Sequence, residues 1–91
     1  MACLELGGSD PFIVLKDADM DAAVEAAYKS RMVNSGQACN NAKRFIITSP
    51  VYDEFRDRLI EKIKSATVMG DPMDPQTNLG PLASARQKQI L

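Results

Sequence analysis

The sequence predicts an α/β fold in which a strand, a helix, a second strand and further helices follow one another along a short chain. Two apolar, partly β-branched runs of strand length support this prediction, because each is bounded by polar or turn-forming residues. Between and after these runs, apolar residues recur at helical spacing. Strand, helix and strand in this order form a right-handed parallel crossover, so both strands are expected in one parallel sheet.

The first strand and the helix after it are expected between residues 12 and 33. An uninterrupted apolar run over 12–15 is typical of a buried parallel strand. Asp19 is suited to cap a helix over 20–33, because its carboxylate can accept hydrogen bonds from the first turn. The apolar residues of this helix, which fall near one face, are Met20, Ala23, Val24, Ala27 and Met32.

A polar turn is expected between that helix and the second strand. Gly36 is suited to a left-handed backbone after the last helical turn, and this capping role explains it at least as well as a direct contact with substrate does. Residues 37–41 then form a polar loop around Cys39, and the strand is predicted over 44–48. This order places the loop at the N-terminal edge of the sheet unless it folds back.

A second helix is predicted over 50–66, with Ser49 as its cap and Pro50 in its first turn. Its apolar stripe repeats every four residues and comprises Val51, Phe55, Leu59 and Ile63. Glycines and prolines over 70–81 predict an irregular connection, and a helical pattern resumes over 83–91. Because so few interior residues cannot close a two-sided sheet, we expect a fragment with exposed apolar surface that a missing portion or a second copy covers.

The charges and cysteines exclude several classes of function. Eleven basic and twelve acidic residues are scattered and give a net charge of −1, so no nucleic-acid footprint is present. No apolar stretch approaches the roughly 20 residues needed to cross a bilayer, and acidic Glu5 and Asp10 argue against a signal peptide, so a cytoplasmic location is expected. Cys3 and Cys39 could form one disulfide, but we interpret both as free thiols, and without histidine they cannot complete a zinc site.

Cys39 is the candidate nucleophile, because it lies in a polar, glycine-bearing loop. The chain has no histidine, so the upstream acid Glu5 becomes the natural partner for proton transfer. Less specific interpretations remain open. A cysteine is commonly a small buried apolar residue, and we interpret Cys3 in this way. Glu5 taken alone is typical of a solvated charge, and Gly7 with Gly8 is typical of a turn.

Four motifs follow one another along the chain. They are Leu4-Glu5-Leu6-Gly7-Gly8, then Asn34-x-Gly36-Gln37-x-Cys39 followed by Arg44, then Gly70-Asp71-Pro72, and finally Gly80-Pro81-Leu82. Together they resemble the aldehyde dehydrogenase superfamily over essentially the whole chain. Residues 8–14 are most similar to the succinate-semialdehyde dehydrogenase branch. The resemblance implies a partial three-layer α/β/α parallel-sheet catalytic domain, with residues 1–91 as its N-terminal part and with the cofactor domain and oligomerisation arm absent.

The resemblance also implies the chemistry. It implies oxidation of an aldehyde, succinate semialdehyde by the branch similarity, with NAD or NADP as cofactor in a homo-oligomer. Cys39 would form a thioester, Glu5 would act as the base, and Leu6 and Gly7 would contact the cofactor. Because most of the cofactor site lies outside these residues, the isolated chain is expected to be inactive. The alternative is a non-catalytic, self-associating interaction module that keeps the family scaffold.

Overall fold

A computed structural model describes residues 1–91 and has the predicted α/β architecture with a parallel sheet. No helix in it combines the length and apolar character needed to span a bilayer. Its elements in chain order are β1 (Asp10–Val14), α1 (Met20–Met32), a 3₁₀ turn (Val33–Gly36), β2 (Ala42–Ile47), a second 3₁₀ turn (Ser49–Val51), α2 (Tyr52–Ala66) and α3 (Ala85–Ile90).

The two strands pair in parallel over their whole length. The ladder starts with Asp10 opposite Ala42, and an irregularity directly after this pair shifts the register. Phe12 then lies opposite Phe45. Each strand begins two residues earlier and ends one residue earlier than its apolar run predicts. Backbone pairing, and not apolar character alone, therefore sets where the strands begin.

The core lies on one face of this sheet, between the strands and the two longer helices. Phe12 and Phe45 stand side by side with ring centroids 5.6 Å apart, and Phe55 of α2 lies 6.3 and 6.4 Å from them. Phe55 is only 2% exposed. The four buried residues of the cluster are Val14, Val24, Ala27 and Phe55. Their burial removes apolar surface from water and fixes α1 and α2 against the strands.

The opposite face of the sheet is open. Ile13 is 61% exposed and Ile46 is 49% exposed, although both belong to strands. The structure thus contains two layers of the three that the resemblance implies, and it has the exposed apolar surface expected from the sequence. Since the sheet has only two strands, each also has one edge without a hydrogen-bonded neighbour.

The caps of the two long helices differ from each other. Asp19 caps α1 as predicted, because its Oδ1 accepts a hydrogen bond from the Ala22 backbone N–H at 3.1 Å. The predicted cap Ser49 is wrong, since Ser49 lies in a 3₁₀ turn and α2 begins at Tyr52 without a side-chain cap. Pro50 explains the difference, because its fixed φ and missing N–H suit a tight turn ahead of the helix.

The connection after α2 is more ordered than its composition predicts. Met69 and Leu79 form an isolated β-bridge, and the backbone N–H of Asn78 donates to the carbonyl of Val68 at 3.0 Å. The Asn78 side chain also accepts from the Val68 N–H at 2.8 Å. The last helix is shorter than predicted, because Ser84 caps it and ordered helix begins at the following residue.

Ion pairs join α1 to α2 along the solvent-facing side of their contact. Glu25 of α1 lies 2.7 Å from the Lys62 ammonium of α2 and 3.2 Å from that of Lys29. Arg58 of α2 pairs with Asp21 of α1 in the same way. Hydrogen bonds from Lys62 and then Lys29 hold the pKa of the Glu25 carboxyl below its ordinary value.

We expect replacement of Glu25 by Gln to lower the Tm near neutral pH. A lowered folded-state pKa means that the carboxylate stabilises the fold above its ordinary pKa of 4.5 and that this contribution is lost as the pH falls through the folded value. The Tm difference between wild type and Glu25→Gln should therefore be present at neutral pH and disappear well below pH 4.5. Glu61→Gln, at an exposed position of α2 that forms no ion pair, is the control, and a difference that did not change with pH would contradict the assignment.

Candidate active site

The segments that carry the two candidate catalytic residues meet at the amino-terminal edge of the sheet. Because the strands are parallel and both begin at the Asp10 to Ala42 pair, the residues before each strand are neighbours. The Lys43 ammonium donates to the Gly8 carbonyl at 3.1 Å and to the Cys39 carbonyl at 2.8 Å. The loop around Cys39 therefore lies at the predicted edge.

Cys39 is a free, exposed cysteine in the turn over residues 37–41. The backbone N–H of Asn41 donates to the Ala38 carbonyl at 3.1 Å and closes this turn. The N–H of Cys39 itself makes no hydrogen bond within the chain. An exposed thiol beside an unused amide donor is an arrangement that can accept an electrophilic carbonyl group.

Asn41 holds the turn from inside, and its side chain is fully buried at 0% exposure. Its amide nitrogen donates to the Ser30 carbonyl at 2.7 Å and to the Val33 carbonyl at 3.3 Å, and its Oδ1 accepts from the Ala38 N–H. The last carbonyls of a helix have no partner within the helix. Asn41 therefore satisfies the end of α1 and anchors the segment that carries Cys39.

The chain reverses through a left-handed segment just before the turn. Gly36 has φ +75°, as its predicted role requires, and Asn34 and Ser35 are also left-handed with φ 53° and 56°. Asparagine tolerates this conformation, whereas serine does so at a cost in backbone strain. The Ser35 hydroxyl donates to the Gly80 carbonyl at 3.2 Å, which supports the strained backbone from the other side.

Two side chains tie the turn to its surroundings. Gln37 donates to the Asn34 carbonyl at 3.1 Å, and its Oε1 accepts from the Ala83 N–H at 2.8 Å. Arg31 donates to the carbonyls of Gly36 and Ala42, each at 2.7 Å. Gln37 thus holds the start of the turn against the segments before and after it. Arg31 and Asn41 were not predicted from sequence, because each acts through backbone carbonyls that only the folded chain brings together.

The Glu5 segment is exposed and makes its own turn. The Glu5 carboxylate accepts from the Gly7 N–H at 2.9 Å, and no hydrogen bond joins it to Cys39. Leu6 is 87% exposed. Gly7 has φ +80°, and a Cβ added there would meet nothing within 4 Å. The structure thus places the Gly8 end of this segment beside the cysteine turn and leaves open space above Leu6 and Gly7.

Two adjoining open grooves of about 500 and 530 Å³ lie next to α3. They share the lining residues Ser35, Leu79, Leu82 and Leu91, and Cys39 lines neither of them. No cluster of three or more His, Cys, Asp or Glu side chains converges anywhere in the chain to hold a metal ion. The first groove therefore adjoins the start of the cysteine turn at Gly36 and Gln37, whereas the thiol itself lies outside both grooves.

Comparison with known proteins identifies the family. The aldehyde dehydrogenase family profile matches residues 1–91, and the chain belongs to this family. A curated relative from Mycobacterium ulcerans (strain Agy99), succinate-semialdehyde dehydrogenase NADP(+) 1, is 53% identical over 85 residues, which are 93% of this chain and 18% of the relative. Succinate-semialdehyde dehydrogenase NADP(+) from Mycobacterium avium (strain 104) is 54% identical over 81 residues, 89% of this chain and 17% of that protein.

Solved structures agree with this assignment. A lactaldehyde dehydrogenase superposes with a TM-score of 0.89 at 42% identity, covering 96% of this chain and 18% of that one. A 3,6-anhydro-L-galactose dehydrogenase in complex with NAP superposes with a TM-score of 0.85 at 43% identity, covering 91% of this chain and 17% of that one. These matches confirm the fold class and the family resemblance. The chain spans less than one fifth of the length of these relatives.

We expect Gly36→Ala to destabilise the turn more than Gly7→Ala. Both glycines have positive φ, so alanine costs about 1–2 kcal/mol of backbone strain at either position. Only at position 36 would the new Cβ also meet the Arg31 guanidinium, at 2.9 Å. Urea unfolding of the two variants measures the difference, and equal losses of stability would show that the Arg31 contact does not constrain position 36.

Proposed function

We propose that the protein containing this chain oxidises an aldehyde to a carboxylic acid with NAD(P)⁺ through a cysteine thioester, and that the aldehyde is succinate semialdehyde. Family membership and the two succinate-semialdehyde dehydrogenases at 53% and 54% identity support this proposal. Residues 1–91 would form the N-terminal part of the catalytic domain. The observation that carries the proposal is the exposed Cys39 thiol, with its free backbone N–H, at the edge that also receives the Glu5 segment.

Cys39 is the proposed nucleophile. Its thiolate attacks the carbonyl carbon, a C–S bond forms, and the carbonyl oxygen becomes an oxyanion. The Cys39 N–H has no partner in the chain, so it is available to donate to that oxygen. Because the carbonyl of Cys39 is held by Lys43, the peptide group that follows the cysteine has a fixed orientation when substrate arrives.

Leu6 and Gly7 are the proposed cofactor contacts. Bound NAD(P)⁺ would supply the hydride acceptor that the oxidation requires. The residues present fit a flat ring, because Leu6 is exposed and the space above Gly7 is open. Glycine also lets the backbone approach a ligand closely. The dehydrogenase solved in complex with NAP, at 43% identity, supports a dinucleotide as the cofactor class.

Glu5 is the proposed base for hydrolysis of the thioester. It would take a proton from water, the resulting hydroxide would attack the acyl carbon, the C–S bond would break, and Cys39 would leave as thiolate. The Glu5 carboxylate is exposed and hydrogen-bonded only to the Gly7 N–H of its own turn. A single exposed hydrogen bond exchanges readily with water, so the carboxylate is free to turn towards a thioester.

In the full-length protein, we expect Cys39→Ala to reduce aldehyde-dependent NAD(P)H formation by at least about 10³-fold, because the covalent step is lost. Glu5→Gln should reduce turnover by about 10²–10⁴-fold and let the acyl-enzyme accumulate, because water loses its base. Mass spectrometry of protein quenched during turnover would detect the adduct on the Cys39 peptide. Cys3→Ala is the matched control. Wild-type turnover in both Cys39→Ala and Glu5→Gln would refute these roles.

We also propose that the protein is a cytoplasmic homo-oligomer. Both cysteines are exposed and unpaired, as is usual in a reducing compartment. The open sheet face with Ile13 and Ile46 supports contact with further protein, either within the same chain or between subunits.

A second candidate function is a non-catalytic module that associates with itself. The same exposed face favours it, since a free chain of 91 residues would gain by covering this surface. For the isolated chain, we expect self-association in a sizing measurement and no NAD(P)H formation with succinate semialdehyde and NADP⁺. Turnover by the isolated chain would exclude the module, and a monomer without turnover would leave it without support.

A further inference from the structure

We propose that Arg31 is a positioning residue that sets the geometry of the turn carrying Cys39. This inference rests on the proposed function, in which Cys39 is the nucleophile. Arg31 lies in the last turn of α1, eight residues before the cysteine in the sequence. Its side chain reaches both ends of the turn over residues 37–41 and fixes the span between them.

The guanidinium makes two short hydrogen bonds to the backbone. Nη2 donates to the carbonyl of Gly36, directly before the turn, and Nη1 donates to the carbonyl of Ala42, directly after it, both at 2.7 Å. A guanidinium is planar and presents its donors in a rigid fork. The separation of these two carbonyls is therefore fixed by one side chain, and with it the path of the five residues between them.

Arg31 has no competing acidic partner. All six ion pairs of the chain use other residues, whereas the hydrogen bonds of Arg31 go only to the two carbonyls. The side chain is partly buried, so these charge-assisted bonds replace much of its contact with water.

Gly36 and Arg31 are matched to each other. A Cβ at position 36 would lie 2.9 Å from Nη2 and 3.4 Å from the Arg31 carbonyl oxygen. Glycine therefore serves the turn in two ways, because it adopts the positive φ and leaves room for the guanidinium. This close packing explains why position 36 is a glycine when an arginine stands five residues earlier, at position 31.

Asn41 completes the arrangement from within the turn. Its Oδ1 accepts from the Ala38 N–H, and its own N–H donates to the Ala38 carbonyl, so the peptide groups on both sides of Ala38 are bound. The adjacent Cys39 N–H has no partner in the chain. Without the two hydrogen bonds from Arg31, the carbonyls of Gly36 and Ala42 would no longer be held at a fixed separation. The Cys39 N–H and thiol would then no longer be held in the positions from which both can act on one carbonyl group.

The test uses the full-length protein with Arg31→Met, Arg31→Lys and the matched control Arg56→Met. Arg56 is an exposed arginine of α2 that forms ion pairs with Asp53 and Asp57 and lies 5.7 Å from the centre of the Tyr52 ring. We expect Arg31→Met to lower kcat about 10²-fold with KM within about threefold, because a misplaced nucleophile slows the chemical step more than it weakens binding. Arg31→Lys should recover part of kcat, since an ammonium keeps the charge and the donors but lacks the rigid planar fork that holds the two carbonyls at a fixed separation. Arg56→Met should match wild type.

Amide hydrogen exchange of the peptide over residues 36–42 provides the second measurement, which does not depend on turnover. Exchange there should rise about tenfold in Arg31→Met and stay unchanged in Arg56→Met, with all assays run well below the Tm of each variant. Faster exchange at wild-type kcat, or lower kcat at wild-type exchange, would overturn the proposal. If Arg31→Met fails to fold, a wild-type kcat in Arg31→Lys would overturn it. If wild type itself shows no Cys39-dependent turnover, the proposed function fails, while exchange still decides whether Arg31 holds the turn.

Discussion

The parallel pairing of β1 with β2 is the constraint on which the candidate site depends. Two segments far apart in sequence precede these strands, and a parallel ladder brings both of them to the same edge. An antiparallel pair would have sent the Glu5 segment and the Cys39 turn to opposite ends of the sheet. The parallel ladder brings the two segments close together, and the hydrogen bonds from Lys43 to the carbonyls of Gly8 and Cys39 then join them.

The core also fixes the position of the cysteine turn, because it holds α1 in place. Val24 and Ala27 are buried against the strands and fix the helix, and the helix end supplies the carbonyls that Asn41 binds. Because the Asn41 amide is buried among those carbonyls, moving it would leave polar groups without partners in the interior. The position of the exposed Cys39 thiol thus depends on the buried contacts of α1 and Asn41.

The sequence is sufficient where structure follows from local pattern. The stripe from Val51 to Ile63 defines the face of α2, and the crossover rule gives the parallel sheet. The rule left open whether the loop around Cys39 folds back, and only the structure places it at the amino-terminal edge. Gly36 could be assigned a left-handed backbone because that property belongs to the residue itself. Motif resemblance gave the family, which the comparisons confirm. The chemical roles of Cys39, Glu5, Leu6 and Gly7 remain predictions.

The parts that sequence could not predict all depend on partners distant along the chain. The burial of Asn41 requires the end of α1 above it, and an asparagine next to a turn normally indicates only a solvated loop. Arg31 resembles any basic residue in the last turn of a helix. The bridge between Met69 and Leu79 crosses a region whose glycines and prolines predict irregular backbone. The sequence carried no signal for Arg31, because the close approach of its guanidinium to Gly36 is visible only in the folded chain.

The two-stranded sheet has a consequence for handling these residues as a separate polypeptide. The outer edges of β1 and β2 carry backbone N–H and C=O groups without a strand partner, and these can hydrogen-bond to another extended segment. The open face of the same strands exposes apolar side chains. Such edges recruit identical copies into stacked cross-β deposits. Recombinant production of residues 1–91 alone is therefore expected to yield inclusion bodies, and lysines placed along the margin of β1 would be the first remedy to try.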